Sequence, residues 1–127
     1  MYSPALKTRI VLTLFYIALL MLLSLIPGHH KTGDSVFIWV VANTPTLIQK
    51  FMHVCLYGVL VLLLVWTLDG IQSKTYRYLI AFVMTVAFGA AMEWCQTWIQ
   101  GRYGTLYDVV LDTLGAALGL LAAIFLL

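Results

Sequence analysis

Charged residues are scarce in this chain. Of its 127 residues only 9% are Asp, Glu, Lys or Arg, whereas 63% are hydrophobic. A soluble domain carries about 25% charged and about 45–50% apolar residues, so this chain lacks the polar residues to cover a soluble globule. The scarcity excludes a cytosolic enzyme, a disordered segment and a nucleic-acid-binding module. It indicates an integral membrane protein.

Cysteine is also rare. The two cysteines, Cys55 and Cys95, are too few for a disulfide framework or a zinc ribbon. The sequence contains no His-Glu-x-x-His motif, no Ser-His-Asp order, no glycine-rich phosphate loop and no dinucleotide fingerprint. We therefore predict neither a bound metal nor a cofactor.

What the sequence does contain is long apolar runs. A spanning helix takes about 20 mostly apolar residues, and the first run is too long for a cleaved signal peptide. Lipid offers the backbone no hydrogen-bond partners, and runs such as Leu60–Val65 lack the alternation of barrel strands. We predict a single domain over residues 1–127, an all-α four-helix transmembrane bundle. Its helices are expected at about Ile10–Ile26, Phe51–Leu68, Tyr78–Trp98 and Val109–Leu127.

The basic residues predict the orientation of the bundle. One side would carry Lys7, Arg9, Lys74 and Arg77, and the other Lys31, Lys50 and Arg102. Lys50 and Arg102 lie near intramembrane acids, so we assign them to a site and not to the loops. Cytoplasmic loops carry an excess of Lys and Arg. We therefore place both termini in the cytoplasm.

The remaining polar side chains gather at one depth near the outer face. Within each helix they are spaced three or four residues apart, so they share a face. The stripes are Lys50, His53 and Tyr57 on the second helix, Glu93 and Gln96 on the third, and Asp108 and Asp112 on the fourth, with Arg102 in the preceding turn. A charge facing lipid costs roughly 2.5–3.5 kcal/mol near a helix centre, so we expect the stripes to face one polar pocket. The alternative is that ion pairs simply hold three helices together.

The acidic and imidazole groups of this pocket are the candidates for chemistry. Glu93 or His53 could act as a general base, and Asp108 and Asp112 are further catalytic candidates. A His among carboxylates could hold a divalent cation, but no metal-binding spacing supports one here.

The other members of the pocket are candidates for ligand binding. Lys50 and Arg102 could clamp a phosphate or carboxylate, and the alternative for Lys50 is that it reaches into the lipid head groups. Tyr57 and Gln96 are expected to act as hydrogen-bond partners.

Small residues recur every fourth position in the last helix. Gly115, Gly119 and Ala123 form a stripe that allows close helix packing. The stripe could pack within the bundle or between chains, so a homo-oligomer contact through Gly115 and Gly119 is also predicted.

The ordered set of polar residues resembles the VanZ-like family over about residues 47–120. The resemblance lies in Lys50-x-x-His53-x-x-x-Tyr57, Glu93-x-x-Gln96, Gly101-Arg102, and Asp108-x-x-x-Asp112-x-x-Gly115-x-x-x-Gly119. It implies a small multi-pass protein of the bacterial plasma membrane that is connected with the cell envelope. The founding member is an accessory glycopeptide-resistance protein linked to teicoplanin. The family often has Asn at the position of Asp112, so this chain has an extra negative charge there.

Three functions follow as hypotheses. In the first, the pocket binds a membrane lipid head group, a lipid-linked cell-wall intermediate or a teicoplanin-type lipoglycopeptide. In the second, the protein is a membrane-embedded enzyme that acts on a lipid head group through Glu93 or His53. In the third, it is a structural assembly subunit. Turnover separates the second hypothesis from the first, and loss of folding without a ligand effect indicates the third.

Overall fold

The computed structural model describes residues 4–25, 46–98 and 106–127, together with Val36. These residues form four long helices and contain no strand. The helices are α1 (Pro4–Ser24), α2 (Thr46–Thr67), α3 (Lys74–Gln96) and α4 (Leu106–Leu126), with a short 3-10 turn at Leu68–Gly70 between α2 and α3. The sequence-based prediction of an all-α, four-helix membrane protein is confirmed.

Each helix begins several residues before the apolar run that predicted it. The predicted starts were limited to apolar residues, whereas helix propagation also accepts polar residues such as Gln49 and Lys50. The start of α3 is fixed by its cap: the Ser73 hydroxyl accepts a hydrogen bond from the Tyr76 backbone N–H at 3.3 Å. Such a cap satisfies one of the backbone donors that a helix start leaves open.

The helices have the length and composition of membrane spans. They are 21 to 23 residues long, and at about 1.5 Å per residue this matches a hydrocarbon core about 30 Å thick. The mean hydropathy of their most apolar windows is 1.6 to 2.3. Large apolar side chains point outward along them, including Phe15 on α1 and Phe125 on α4. The outer surface is therefore suited to lipid.

Helix α2 is the centre of the bundle. It packs against all three other helices, most extensively against α4, and α1 packs on α2 and α3. The main apolar cluster accordingly draws five of its eight residues from α2. It comprises Leu20, Tyr57, Leu60, Val61, Leu64, Val65, Ala81 and Ala123.

Glycines allow α2 and α4 to come close together. A Cβ atom at Gly115 would collide with the Val54 carbonyl oxygen, and one at Gly119 would lie 2.5 Å from the Gly58 carbonyl oxygen. The predicted small-residue stripe therefore packs within the bundle, against α2. The homo-oligomer contact through Gly115 and Gly119 stays a prediction that this packing does not test.

Candidate functional site

One end of the bundle brings together polar side chains from three helices. His53 lies two turns into α2, Asp112 lies two turns into α4, and Glu93 lies in the last turn of α3. Because consecutive helices run antiparallel, the starts of α2 and α4 meet the end of α3 at the same depth. The three residues define the acidic site.

The acidic site is built around His53. Its Nδ1 atom lies 2.8 Å from Asp112 Oδ1, which is a hydrogen bond, and 3.8 Å from Glu93 Oε1. An ionised carboxylate only accepts hydrogen bonds, so Nδ1 carries the proton when Asp112 is ionised. Asp112 thereby fixes both the orientation and the tautomer of the imidazole.

Burial is unequal across the acidic site. Asp112 is completely buried and Glu93 is 3% exposed, whereas the His53 side chain is 20% exposed. Among the described residues, the buried Asp112 Oδ2 and Tyr57 hydroxyl have no hydrogen-bond partner. A buried polar atom left unsatisfied costs about 1–3 kcal/mol. The site therefore contains two buried polar atoms that could form hydrogen bonds but form none with the described helices.

Tyr57 and Gly89 shape the inner wall of the acidic site. The rings of Tyr57 and His53 are nearly parallel, with an interplanar angle of 5° and centroids 6.1 Å apart. A Cβ atom at Gly89 would lie 2.7 Å from Asp112 Oδ2 and 3.1 Å from Tyr57 Cε1. Gly89 therefore leaves the space that the Asp112 carboxylate occupies. This role was not predicted from the sequence, although Gly89 precedes Glu93 by one helical turn and thus shares its face.

The remaining predicted site residues take different positions. The Lys50 ammonium lies 4.6 Å from the centroid of the Tyr107 ring, one turn of α2 before His53, so it is held near the acidic site by a cation–π contact. Asp108 is half-buried one turn before Asp112. Both residues therefore lie at the end of the bundle that the sequence predicted.

One predicted residue, Gln96, bonds to a different helix. The Gln96 amide Nε2 donates to the Ser24 carbonyl oxygen at 3.0 Å and so ties α3 to α1. The predicted contribution of Arg102 lies outside the described residues.

A second polar cluster occupies the opposite end of the bundle, where the basic residues predicted only the orientation. Arg9 Nη1 donates to Asp69 Oδ2 at 3.2 Å, and Arg77 Nη1 donates to Asp69 Oδ1 at 3.3 Å. The Arg9 guanidinium also lies over the Trp66 ring, 5.0 Å from its centroid. These residues border a cavity of about 330 Å³. The cluster joins the start of α1 to the turn between α2 and α3.

The fold and the acidic site define a class: a multi-pass helical membrane protein with buried ionisable residues at one end of its bundle. More specifically, the chain belongs to the VanZ/LLP1 family, whose model matches residues 10–127. The family resemblance inferred from the polar motifs is thus confirmed. No curated protein and no solved structure shows significant similarity to the chain.

Proposed function

We propose that this VanZ-family protein binds the polar head of a lipid or of a lipid-linked cell-envelope intermediate at the acidic site. One observation carries the proposal: the buried Asp112 is hydrogen-bonded to the partly exposed His53 beside the buried Glu93, within helices that are apolar enough to span a membrane. Apolar packing of the same volume is often as stable as a buried ion pair or more so. Intramembrane ionisable residues therefore mark functional sites by default.

The chemistry of the acidic site limits what it would hold. Its carboxylates accept hydrogen bonds from hydroxyl or amine groups of a ligand. Lys50 and, from the sequence, Arg102 would contact a phosphate or carboxylate at the entrance. The acyl chain of such a ligand would stay in the lipid beside the bundle. These features suit an anionic lipid, a lipid-linked cell-wall intermediate or a teicoplanin-type lipoglycopeptide.

The proposal places the acidic site at the outer face of the bacterial plasma membrane. The opposite end carries Arg9, Arg77 and Lys74, and basic residues near span ends favour the cytoplasmic side. Both termini would then be cytoplasmic. An outer site would face the side of the membrane on which cell-wall intermediates are consumed and from which antibiotics reach the cell.

A membrane-embedded enzyme is the second candidate, and the 2.8 Å bond between His53 Nδ1 and Asp112 Oδ1 favours it. A buried carboxylate that orients an imidazole is a recurring arrangement for general bases. His53 would take a proton from a water or hydroxyl nucleophile, and Lys50 would stabilise the developing negative charge on a head group.

Native mass spectrometry of the detergent-extracted protein tests the proposal. We expect a discrete lipid mass on the wild type that is lost in Glu93→Gln and Asp112→Asn, because both changes remove a buried negative charge with little change in volume. Asp69→Asn is the matched control, since it neutralises an exposed carboxylate at the other end of the bundle. Adducts that are equal in all four proteins would contradict the proposal.

Adding defined ligands then separates the candidate functions. The probes are an anionic phospholipid, a polyprenyl diphosphate lipid, and teicoplanin compared with vancomycin, which lacks the fatty chain. Head-group cleavage that requires His53 would favour the enzyme over a binding protein. Variants that lose their fold and show no ligand effect would favour the structural subunit.

A further inference from the structure

We propose that His53, Glu93 and Asp112 bind a divalent transition-metal ion, such as Mn²⁺ or Zn²⁺. The inference deepens the proposed function and rests on it for the role of the ion, which is to hold a phosphate oxygen of the head group. It also revises the expectation from sequence, in which no metal was predicted because no local motif encodes one.

The geometry of the three side chains suits a single ion. Each offers one ligand atom, and these atoms all lie within 4.8 Å of one another. Donor atoms around an ion with bonds of about 2.1 Å lie roughly 3–4 Å apart. His53 Nδ1 is already 2.8 Å from Asp112 Oδ1 and 3.8 Å from Glu93 Oε1. Small side-chain rotations would bring all three atoms around one ion.

An unused buried oxygen adds an independent argument. Asp112 is fully buried, and within the described part of the chain its Oδ2 atom has no hydrogen-bond partner. The nearby Tyr57 hydroxyl is also buried without such a partner. A metal ion would give the Asp112 carboxylate a partner of opposite charge, whereas the described helices give its Oδ2 atom no hydrogen-bond donor.

The charges of the acidic site point the same way. Two carboxylates this close repel each other strongly in a medium of low dielectric constant. When the imidazole is neutral, a divalent cation balances both carboxylates at once. A ligating Nδ1 atom must carry no proton, so a neutral His53 ring would keep its one proton on Nε2. An imidazolium ring would release one proton to solvent on metal binding.

The donor set selects among cations. One imidazole nitrogen and two carboxylates suit Zn²⁺ or Mn²⁺, whereas Ca²⁺ takes six to eight oxygens. Three protein ligands leave at least one coordination position open, as in catalytic metal sites. A phosphate oxygen of a lipid head group could fill that position, and this would allow an acidic site to hold an anionic ligand.

The test is a metal titration of the full chain in detergent after removal of metal with EDTA. Free Mn²⁺ gives a six-line electron paramagnetic resonance signal that diminishes on binding, and Co²⁺ serves as an optical probe of the ligand set. We expect one Mn²⁺ per chain. Affinity should fall about tenfold or more in His53→Gln and Asp112→Asn, which is at least the loss seen when outer-shell partners are removed. Asp69→Asn, the matched carboxylate at the other end, should bind like the wild type.

Thermal melting of each variant checks its fold, and Glu93→Gln gives a third arm if Asp112→Asn does not fold. Stoichiometry far below one would overturn the metal site, as would folded variants that all bind like the wild type. An equal loss in Asp69→Asn would also overturn it.

Lipid binding measured with and without EDTA separates this inference from the proposed function. Metal binding without any lipid adduct supports the metal site and contradicts the lipid proposal. A lipid adduct that persists in EDTA, in a protein that binds no Mn²⁺, supports the lipid proposal and contradicts the metal site.

Discussion

Asp112 shows how strongly one side chain can depend on its neighbours inside a membrane. Its carboxylate is completely buried, yet its Oδ1 atom is held by His53 at 2.8 Å. The space for it exists because position 89 of the facing helix has no side chain. The acidic site therefore depends on a glycine as much as on its charged residues.

Adding one methyl group at position 89 should disrupt the acidic site. In Gly89→Ala the new carbon would lie 2.7 Å from Asp112 Oδ2, so the carboxylate must move and its bond to His53 weakens. We expect the lipid adduct and Mn²⁺ binding to fall about tenfold, equivalent to about 1.4 kcal/mol. Ala90→Val, on the exposed face of the same helix, should leave both unchanged. Native mass spectrometry and the Mn²⁺ titration measure the effect, and unaltered binding in Gly89→Ala would contradict this account.

The meeting of the three central side chains of the candidate site was predictable from the sequence, but their surroundings were not. Helical spacing and the cost of charge in lipid indicated that His53, Glu93 and Asp112 would meet, and they do. Spacing alone could not show that Gln96 bonds to the Ser24 carbonyl of α1, because that depends on which helix packs beside α3. Nor could spacing reveal that Gly89 makes room for Asp112, since a glycine carries no polar side chain that would mark it as part of a site.

At the scale of helices, the contact between α2 and α4 determines how the acidic site is assembled. His53 and Asp112 come from these two helices, and the Gly58 and Gly115 backbones allow the helices to approach closely. The helices themselves were predictable from their apolar runs. Their starts were not, because residues such as Lys50 continue a helix without adding hydropathy.

Gly115→Ala should push α2 and α4 apart. Its methyl group would collide with the Val54 backbone carbonyl, which cannot rotate away as a side chain can. Overpacking of this kind typically costs about 1–3 kcal/mol, and a backbone clash can exceed that range. We expect a lower melting temperature in detergent together with weaker ligand binding. Gly70→Ala is the control, because a Cβ atom there meets nothing within 4 Å; similar melting temperatures for the two variants would argue against a close α2–α4 contact.

At the scale of the whole molecule, the two ends of the bundle differ in charge. The acidic site lies at the starts of α2 and α4, whereas Arg9 and Arg77 share Asp69 at the opposite end. This asymmetry follows from the basic residues that flank the spans. It is the basis for the proposal that the acidic site faces the outside of the cell.

Cysteine labelling should locate the two ends of the bundle. In a Cys55→Ser, Cys95→Ser background, a single cysteine is introduced by Leu106→Cys near the acidic site or by Gln72→Cys at the other end; both positions are exposed. Because basic residues keep their end of the bundle in the cytoplasm, a membrane-impermeant maleimide should label Leu106→Cys in intact spheroplasts. It should label Gln72→Cys only after lysis. The opposite pattern would place the acidic site in the cytoplasm. The ligand would then have to come from the inner leaflet, and a role in meeting extracellular glycopeptides would be ruled out.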